Sequence, residues 1–167
     1  MMEPASQGRS IAIRTAEPAD VPLILSFIRD LASYEHLTDQ VIADERALRE
    51  TLFGARPYAE VIIASLSDTA VGFALFFHNY STFLAKPGIY LEDLYVRPEA
   101  RGHGVGRHLL RWLARTALAR NCGRLEWSVL DWNAPSIAFY EGLGAVAMDE
   151  WRTFRVTGDA LTGLAGR

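Results

Sequence analysis

Arg101-x-x-Gly104-x-Gly106 is the part of this chain best suited to chemistry. It lies in Leu91 to Leu110, LEDLYVRPEARGHGVGRHLL, which reads as an apolar strand, a glycine loop and an amphipathic helix. Gly102, Gly104 and Gly106 let the backbone bend sharply and approach a ligand with no Cβ in the way. The first amides of the following helix, around Val105 and Gly106, then lack partners and lie at the positive end of its dipole. Such a turn cradles a pyrophosphate, and the Arg101 and Arg107 side chains can add charge-assisted hydrogen bonds. A dinucleotide fingerprint would need G-x-G-x-x-G, and a P-loop would need Gly-Lys-Ser/Thr; the chain has neither here. The plainer reading is a glycine turn that only starts a helix.

Two carboxylates, Glu92 and Asp93, interrupt the apolar run just before this loop. A carboxylate pressed against apolar walls has its pKa raised into the range useful to a base, whereas a bound cation lowers it. Neighbours on a regular strand point to opposite faces, so both can line one site only across a bulge. Glu92 is the candidate base, acting directly or through a water; a solvated edge or an ion pair with an arginine is the structural alternative.

The elements that must position these groups follow from periodicity. Ser10 to Arg14 alternates as a half-buried strand. Glu17-Pro18-Ala19-Asp20 opens a helix whose apolar positions Val21, Ile24, Leu25, Ile28 and Leu31 carry it to Tyr34. Asp44 to Phe53 is a second helix closed by Gly54. Tyr58 to Ser65 and Ala70 to His78 are strands, Asn79 to Gly88 a loop or distorted hairpin, and Ile89 to Val96 the strand before the glycine loop. Val105 to Arg120 is a long helix stopped by Asn121-Cys122-Gly123. A strand over Leu125 to Leu130, a helix over Asn133 to Leu143 and a final strand over Trp151 to Val156 complete the order β-α-α-β-β-β-α-β-α-β, with room for a short strand around Ala145 to Met148. This is an α/β chain with local parallel pairing inside a mixed sheet.

The chain has 167 residues, half of them hydrophobic and 22% charged, which suits one soluble globular domain. The expected division is a short disordered leader over residues 1–9 and one domain over 10–167. The net charge of −3 argues against general nucleic-acid binding and suits a cationic partner. A lone cysteine, Cys122, fits a reducing compartment, and neither a membrane span nor a signal core is legible, so a cytoplasmic protein is expected. His36, His78, His103 and His108 show no metal-ligand spacing.

The Arg101 to Gly106 loop resembles the acetyl-CoA loop of the GNAT superfamily of N-acetyltransferases, and the element order matches that fold over Ile11 to Val156. Within it, RDLASYEH, YLEDLYVRPEARGHGVG and VLDWNAPSIAFYEGLGA resemble the diamine and polyamine acetyltransferase branch, with its spermidine/spermine, thialysine and ornithine members. The resemblance implies an acyl-CoA N-acyltransferase fold whose central parallel strands splay apart to admit the pantetheine arm, with acetyl-CoA as co-substrate and no metal. It implies backbone contacts to that arm from Leu94 and Val96. Arg101, Gly102, His103, Gly104, Val105, Gly106 and Arg107 would lie on the phosphates, Asn133 on the pantetheine and Tyr140 beside the sulfur as general acid. Without the resemblance, Tyr140 reads as an aromatic anchor packed with Ile137 and Leu143.

Tyr34 and Glu35 match the acidic substrate wall of the branch, joined by Glu92 and Asp93; Glu35 also reads as an ordinary surface charge. The expected reaction is direct transfer to a primary amine of a small diamine, polyamine or diamino acid in a ternary complex. The alternatives are a peptide amine or aminoglycoside acceptor, or a non-catalytic CoA-binding sensor. The loop NYSTFLAKPG has Phe83 and no tryptophan where polyamine-acetylating relatives carry one, and is closer to the diamino-acid and plant-type relatives. A homodimer is expected from the resemblance alone.

Overall fold

A computed structural model describes residues 10–166; the leader expected over residues 1–9 lies outside them. The described chain forms two compact units, one ending at Ser128 and the other starting at Val129.

The first unit is built on a five-stranded sheet in the order β1-β2-β3-β4-β5. Its strands are β1 Ile11–Thr15, β2 Glu60–Leu66, β3 Thr69–Ser81, β4 Lys86–Val96 and β5 Leu125–Trp127. The first four pair antiparallel, and β5 joins β4 in parallel after a crossover through helix α3, Val105–Ala119. The segment read as a loop or distorted hairpin is a tight hairpin: β3 runs on to Ser81 and β4 begins at Lys86. Ala85 turns at φ +50°, and the Ser81 hydroxyl accepts from the Leu84 amide at 3.3 Å.

Helices α1, Val21–Tyr34, and α2, Glu45–Phe53, cover one face of the sheet. The acidic start read at Glu17 to Asp20 forms a capping box, and Arg14 clamps Asp20 through two 2.7 Å bonds. The Asp44 carboxylate caps α2 by accepting from the Ala47 amide at 2.7 Å. Phe27 of α1 stacks on Phe73 of β3 at 5.4 Å, with Tyr95 of β4 beside it. Phe27 is fully buried. Phe27→Ala is therefore expected to cost about 4 kcal/mol of stability through lost transfer energy and a cavity, to be read as a lowered urea midpoint. On the other face α3 packs against β4, burying Leu109 and Leu113, and Phe76 meets Trp112 edge-on at 6.0 Å.

The second unit contains α4, Ala134–Glu141, and a short α5, Gly158–Leu164. Two expectations fail in this part of the chain. The strand from Leu125 stops at Trp127 rather than Leu130, and Trp151 to Val156 forms no strand. The alternation of WRTFRV suits a strand, but a strand exists only as a hydrogen-bonded pair, and among the described residues the second unit contains no strand. Residues 145–148 are likewise irregular. Helix α5 was not foreseen, although Thr157 at its N-cap and Asp159 in its first turn were legible signs. Among the described residues no helix is long and apolar enough to cross a membrane.

Candidate active site

The site begins where β4 and β5 part. Their pairing covers only Ile89–Leu91 against Leu125–Trp127, and just beyond it the Tyr90 and Ser128 hydroxyls share a 2.8 Å hydrogen bond. From Glu92 to Val96, β4 keeps β3 on one edge and has no sheet neighbour on the other. The Ile89 amide donates to the Arg124 carbonyl beside β5, whereas the Arg97 amide donates to Val71 beside β3, at 3.0 and 2.8 Å. Peptide groups alternate sides along a strand, so those of Leu94 and Val96 face the open edge. The Leu94 groups and the Val96 amide are thus available to an added half-strand, whereas the Val96 carbonyl already accepts from Arg101.

What makes this possible is a bulge. Leu75 registers with Asp93 and Phe76 with Leu91, leaving Glu92 as the extra residue. The bulge anticipated for the two carboxylates therefore exists, but its effect differs from the expectation. Glu92 is exposed, and Asp93 is the carboxylate drawn inward. Asp93 shares a sheet face with Leu75, which packs on the α1 core. Burial, then the nearby charges of Glu92 and Glu35, push the Asp93 carboxyl up to about 6. Burial also raises Glu35.

Asp93 and Glu35 line one pocket of about 150 Å³ with Ile28, Leu31, Ala32, Leu37, Gln40 and Val41. Its wall depends on how α1 ends. His36 takes a left-handed φ of +60°, and the Leu37 amide returns to the Ala32 carbonyl at 2.8 Å. This is a Schellman closure with histidine in the usual glycine place, and it turns Leu37 into the pocket. The apolar stripe of α1 was legible; the contributions of Gln40 and Val41 were not, because they depend on the short 3-10 turn Thr38–Gln40.

After Val96, a 3-10 turn over Pro98–Ala100 leads into the glycine loop. Gly102 and Gly104 adopt φ of +78° and +85°, and Gly104 is the N-cap of α3. Gly106, expected to bend as well, lies in the regular first turn of that helix. The amides of Val105, Gly106 and Arg107 consequently have no acceptor inside α3. Gly104→Ala is expected to cost about 1–2 kcal/mol in left-handed strain, checked by thermal melts. The His103 ring lies against its own loop, with Nδ1 3.0 Å from the Arg101 carbonyl. Arg107 is exposed. Arg101 turns the other way: its guanidinium lies over the Tyr34 ring at 4.7 Å and the Tyr95 ring at 5.7 Å. Its Nε–H donates to the Val96 carbonyl at 2.9 Å. Tyr34 is thus joined to the loop rather than standing alone beside Glu35.

In the second unit Asn133 is buried at the N-cap of α4, and its Oδ1 accepts from the Ser136 amide at 3.3 Å. Pro135 occupies the first turn. Tyr140 is half-buried, its ring 5.4 Å from that of Phe139. Trp132 is 49% exposed. Cys122 is half-buried at the end of α3, its amide bonded to the Ala117 carbonyl at 2.8 Å. Among the described residues no group of three or more histidine, cysteine, aspartate or glutamate side chains could hold a metal.

The profile described as the acetyltransferase (GNAT) family matches residues 26–145. A thialysine N-epsilon-acetyltransferase of Bos taurus is 39% identical over 94% of this chain and 98% of its own. An L-ornithine N5-acetyltransferase of Arabidopsis thaliana is 36% identical over 91% of this chain and 86% of its own. Among solved structures, an integron cassette protein from the mobile metagenome of V. cholerae superposes with a TM-score of 0.80 at 28% identity, covering 96% of this chain and all of that one.

Proposed function

The chain belongs to the acetyltransferase (GNAT) family, and we propose that it moves the acetyl group of acetyl-CoA to a primary amine of a small diamine, polyamine or diamino acid. One observation carries the acceptor class: the pocket that joins Glu35 and Asp93 to an apolar wall. Methylene groups suit such a wall, and an ammonium suits the two carboxylates. The relatives at 39% and 36% identity are a thialysine and an ornithine acetyltransferase, which points the same way.

The residues present fit the donor. The open edge at Leu94 and Val96 offers peptide groups to the amides of a pantetheine arm. The bare turn at Gly102, His103 and Gly104, with the amides of Val105 and Gly106 and the Arg107 side chain, suits phosphates. Asn133 is assigned to the pantetheine and Tyr140 to the sulfur. Bound acetyl-CoA supplies an activated acyl group, and no enzyme nucleophile is needed when donor and amine are held together.

Protons are the task left to the chain. An alkylamine with a pKa near 10.4 is almost fully protonated at neutral pH and cannot attack. Glu92, exposed at the bulge, takes that proton through a water. Asp93 and Glu35 hold the acceptor's distal ammonium. The Tyr140 hydroxyl donates to the departing sulfur. A homodimer in the cytoplasm completes the proposal; light scattering tests the first part.

The deciding experiment is release of CoA thiol from acetyl-CoA with putrescine, spermidine, ornithine, lysine, thialysine, an aminoglycoside and a short peptide. Preferred turnover of one diamine, polyamine or diamino acid is the expected result. Preference for the aminoglycoside or the peptide would overturn the acceptor class, and tight donor binding without turnover would leave a CoA-binding sensor.

A further inference from the structure

Building on that acceptor class, we infer that the pocket reads the acceptor's distal nitrogen as a primary ammonium, with the Gln40 side-chain carbonyl as its third hydrogen-bond acceptor beside Glu35 and Asp93. A primary alkylammonium carries three N–H donors and no acceptor. Among the described residues that line the pocket, three side chains carry acceptor oxygens: Glu35, Gln40 and Asp93. The rest of that lining is aliphatic, so nothing in it competes for those oxygens. Nor does it include an aromatic face, the surface that recognises a methylated ammonium. What this pocket offers a cation is hydrogen-bond acceptance. Each N–H replaced by a methyl group therefore leaves one acceptor without its partner.

The three groups reach the pocket by separate routes. Asp93 is drawn inward by the bulge in β4, and Glu35 is close enough for its charge to raise the Asp93 carboxyl. Gln40 arrives because the chain turns back after α1. The Leu37 amide donates to the Ala32 carbonyl at 2.8 Å, and the Gln40 amide then donates to the Leu37 carbonyl at 2.9 Å. The Val41 amide donates to the Thr38 carbonyl at 3.2 Å and closes the turn. The backbone at Gln40 is thus held, while its carboxamide makes no hydrogen bond to a described residue. Without a partner to give up, it can turn its oxygen to a cation. Gln40 is exposed, which sets it toward the mouth of the pocket. Being neutral, it adds an acceptor without adding charge to two carboxylates that already repel each other.

Putrescine and N,N-dimethylputrescine form one matched pair for a test, and ornithine and its Nα,Nα-dimethyl derivative form another. Each pair presents the same attacking amine and differs only in methylation of the far nitrogen. The readout is the ratio of kcat/KM for the parent acceptor to that for its dimethyl derivative, at saturating acetyl-CoA. The parent protein is expected to show a ratio of about a hundredfold, expressed mainly in the acceptor KM. Gln40→Met, similar in length and lacking the carbonyl, should lower that ratio about tenfold by weakening the unmethylated acceptor. Gln40→Glu, which keeps an acceptor oxygen, should retain it. Melting temperatures of both variants should match the parent, since Gln40 is exposed. A ratio near one in the parent protein would overturn the inference. So would a large ratio that Gln40→Met leaves in place, which would assign the discrimination to the carboxylates or to size alone. Either result leaves the proposed function standing, because the unmethylated acceptor is still turned over. Absence of turnover with every amine would overturn both.

Discussion

Asp93→Asn is expected to give a protein that is harder to unfold at pH 8 and poorer at capturing a cationic acceptor. The Asp93 carboxyl is raised from 3.8 to about 6, with burial the leading cause. A carboxyl raised on folding binds its proton more tightly in the native state than in the unfolded chain. Its ionisation therefore weakens the fold. The penalty is absent below about pH 4, grows as pH rises toward 6, and is complete above it. About two units at ~1.4 kcal/mol each set a ceiling near 3 kcal/mol. Asparagine removes the charge and keeps the shape, so the melting temperature should rise by several degrees at pH 8 and hardly change at pH 4. The same substitution removes a charged partner of the acceptor's ammonium, and the acceptor KM should rise about ten- to a hundredfold. In the parent protein, acceptor affinity should weaken as pH falls through about 6, and the asparagine variant should lose that dependence. A destabilised variant at pH 8 would show that the carboxylate is held by favourable partners instead.

Tyr140→Phe is expected to lower kcat about a hundredfold with little change in either KM. Proton donation by a positioned side chain contributes roughly 10²–10⁴ in rate, and phenylalanine leaves the ring contact with Phe139 in place. Asn133 would be a poorer probe of the same helix. Its buried side chain caps α4, so an alanine there would cost about 1 kcal/mol of helix stability along with any donor contact. Glu92→Gln is the companion test at the amine end, and its exposure makes a folding defect a remote cause of any loss. If neither variant lost tenfold in turnover, the assigned pair of proton-handling groups would be wrong.

The legible parts of this fold were those fixed by local chemistry. The first and second helices announce themselves through Asp20 and Asp44, and the long helix through the buried repeat of Leu109, Leu113 and Ala117. The glycine loop was legible because left-handed backbone at positions 102 and 104 strongly favours that residue type. Less legible was which carboxylate lies inward. That depends on register between β3 and β4, a long-range property that the local run LEDLYV does not record. The turn of Arg101 onto Tyr34 joins residues far apart in sequence, and no spacing rule could supply it. Trp151 to Val156 failed for the complementary reason: side-chain alternation records which face a strand would show, not whether another strand is there to receive it.

The extra residue in β4 separates two things that mutation usually tests together, the presence of a residue and its identity. Substituting position 92 leaves the ladder intact, because no partner is registered against it. Deleting it would leave Leu91 opposite Phe76 and Asp93 opposite Leu75, so the ladder closes into a regular one and the downstream frame is kept. Deleting a residue between Asp93 and Val96 would instead draw Glu92 into register with Leu75 and pass Asp93 to the α3 side. The strand's tolerance to losing a residue therefore depends on which residue is lost: removal at position 92 should spare the fold, and removal just beyond it should not.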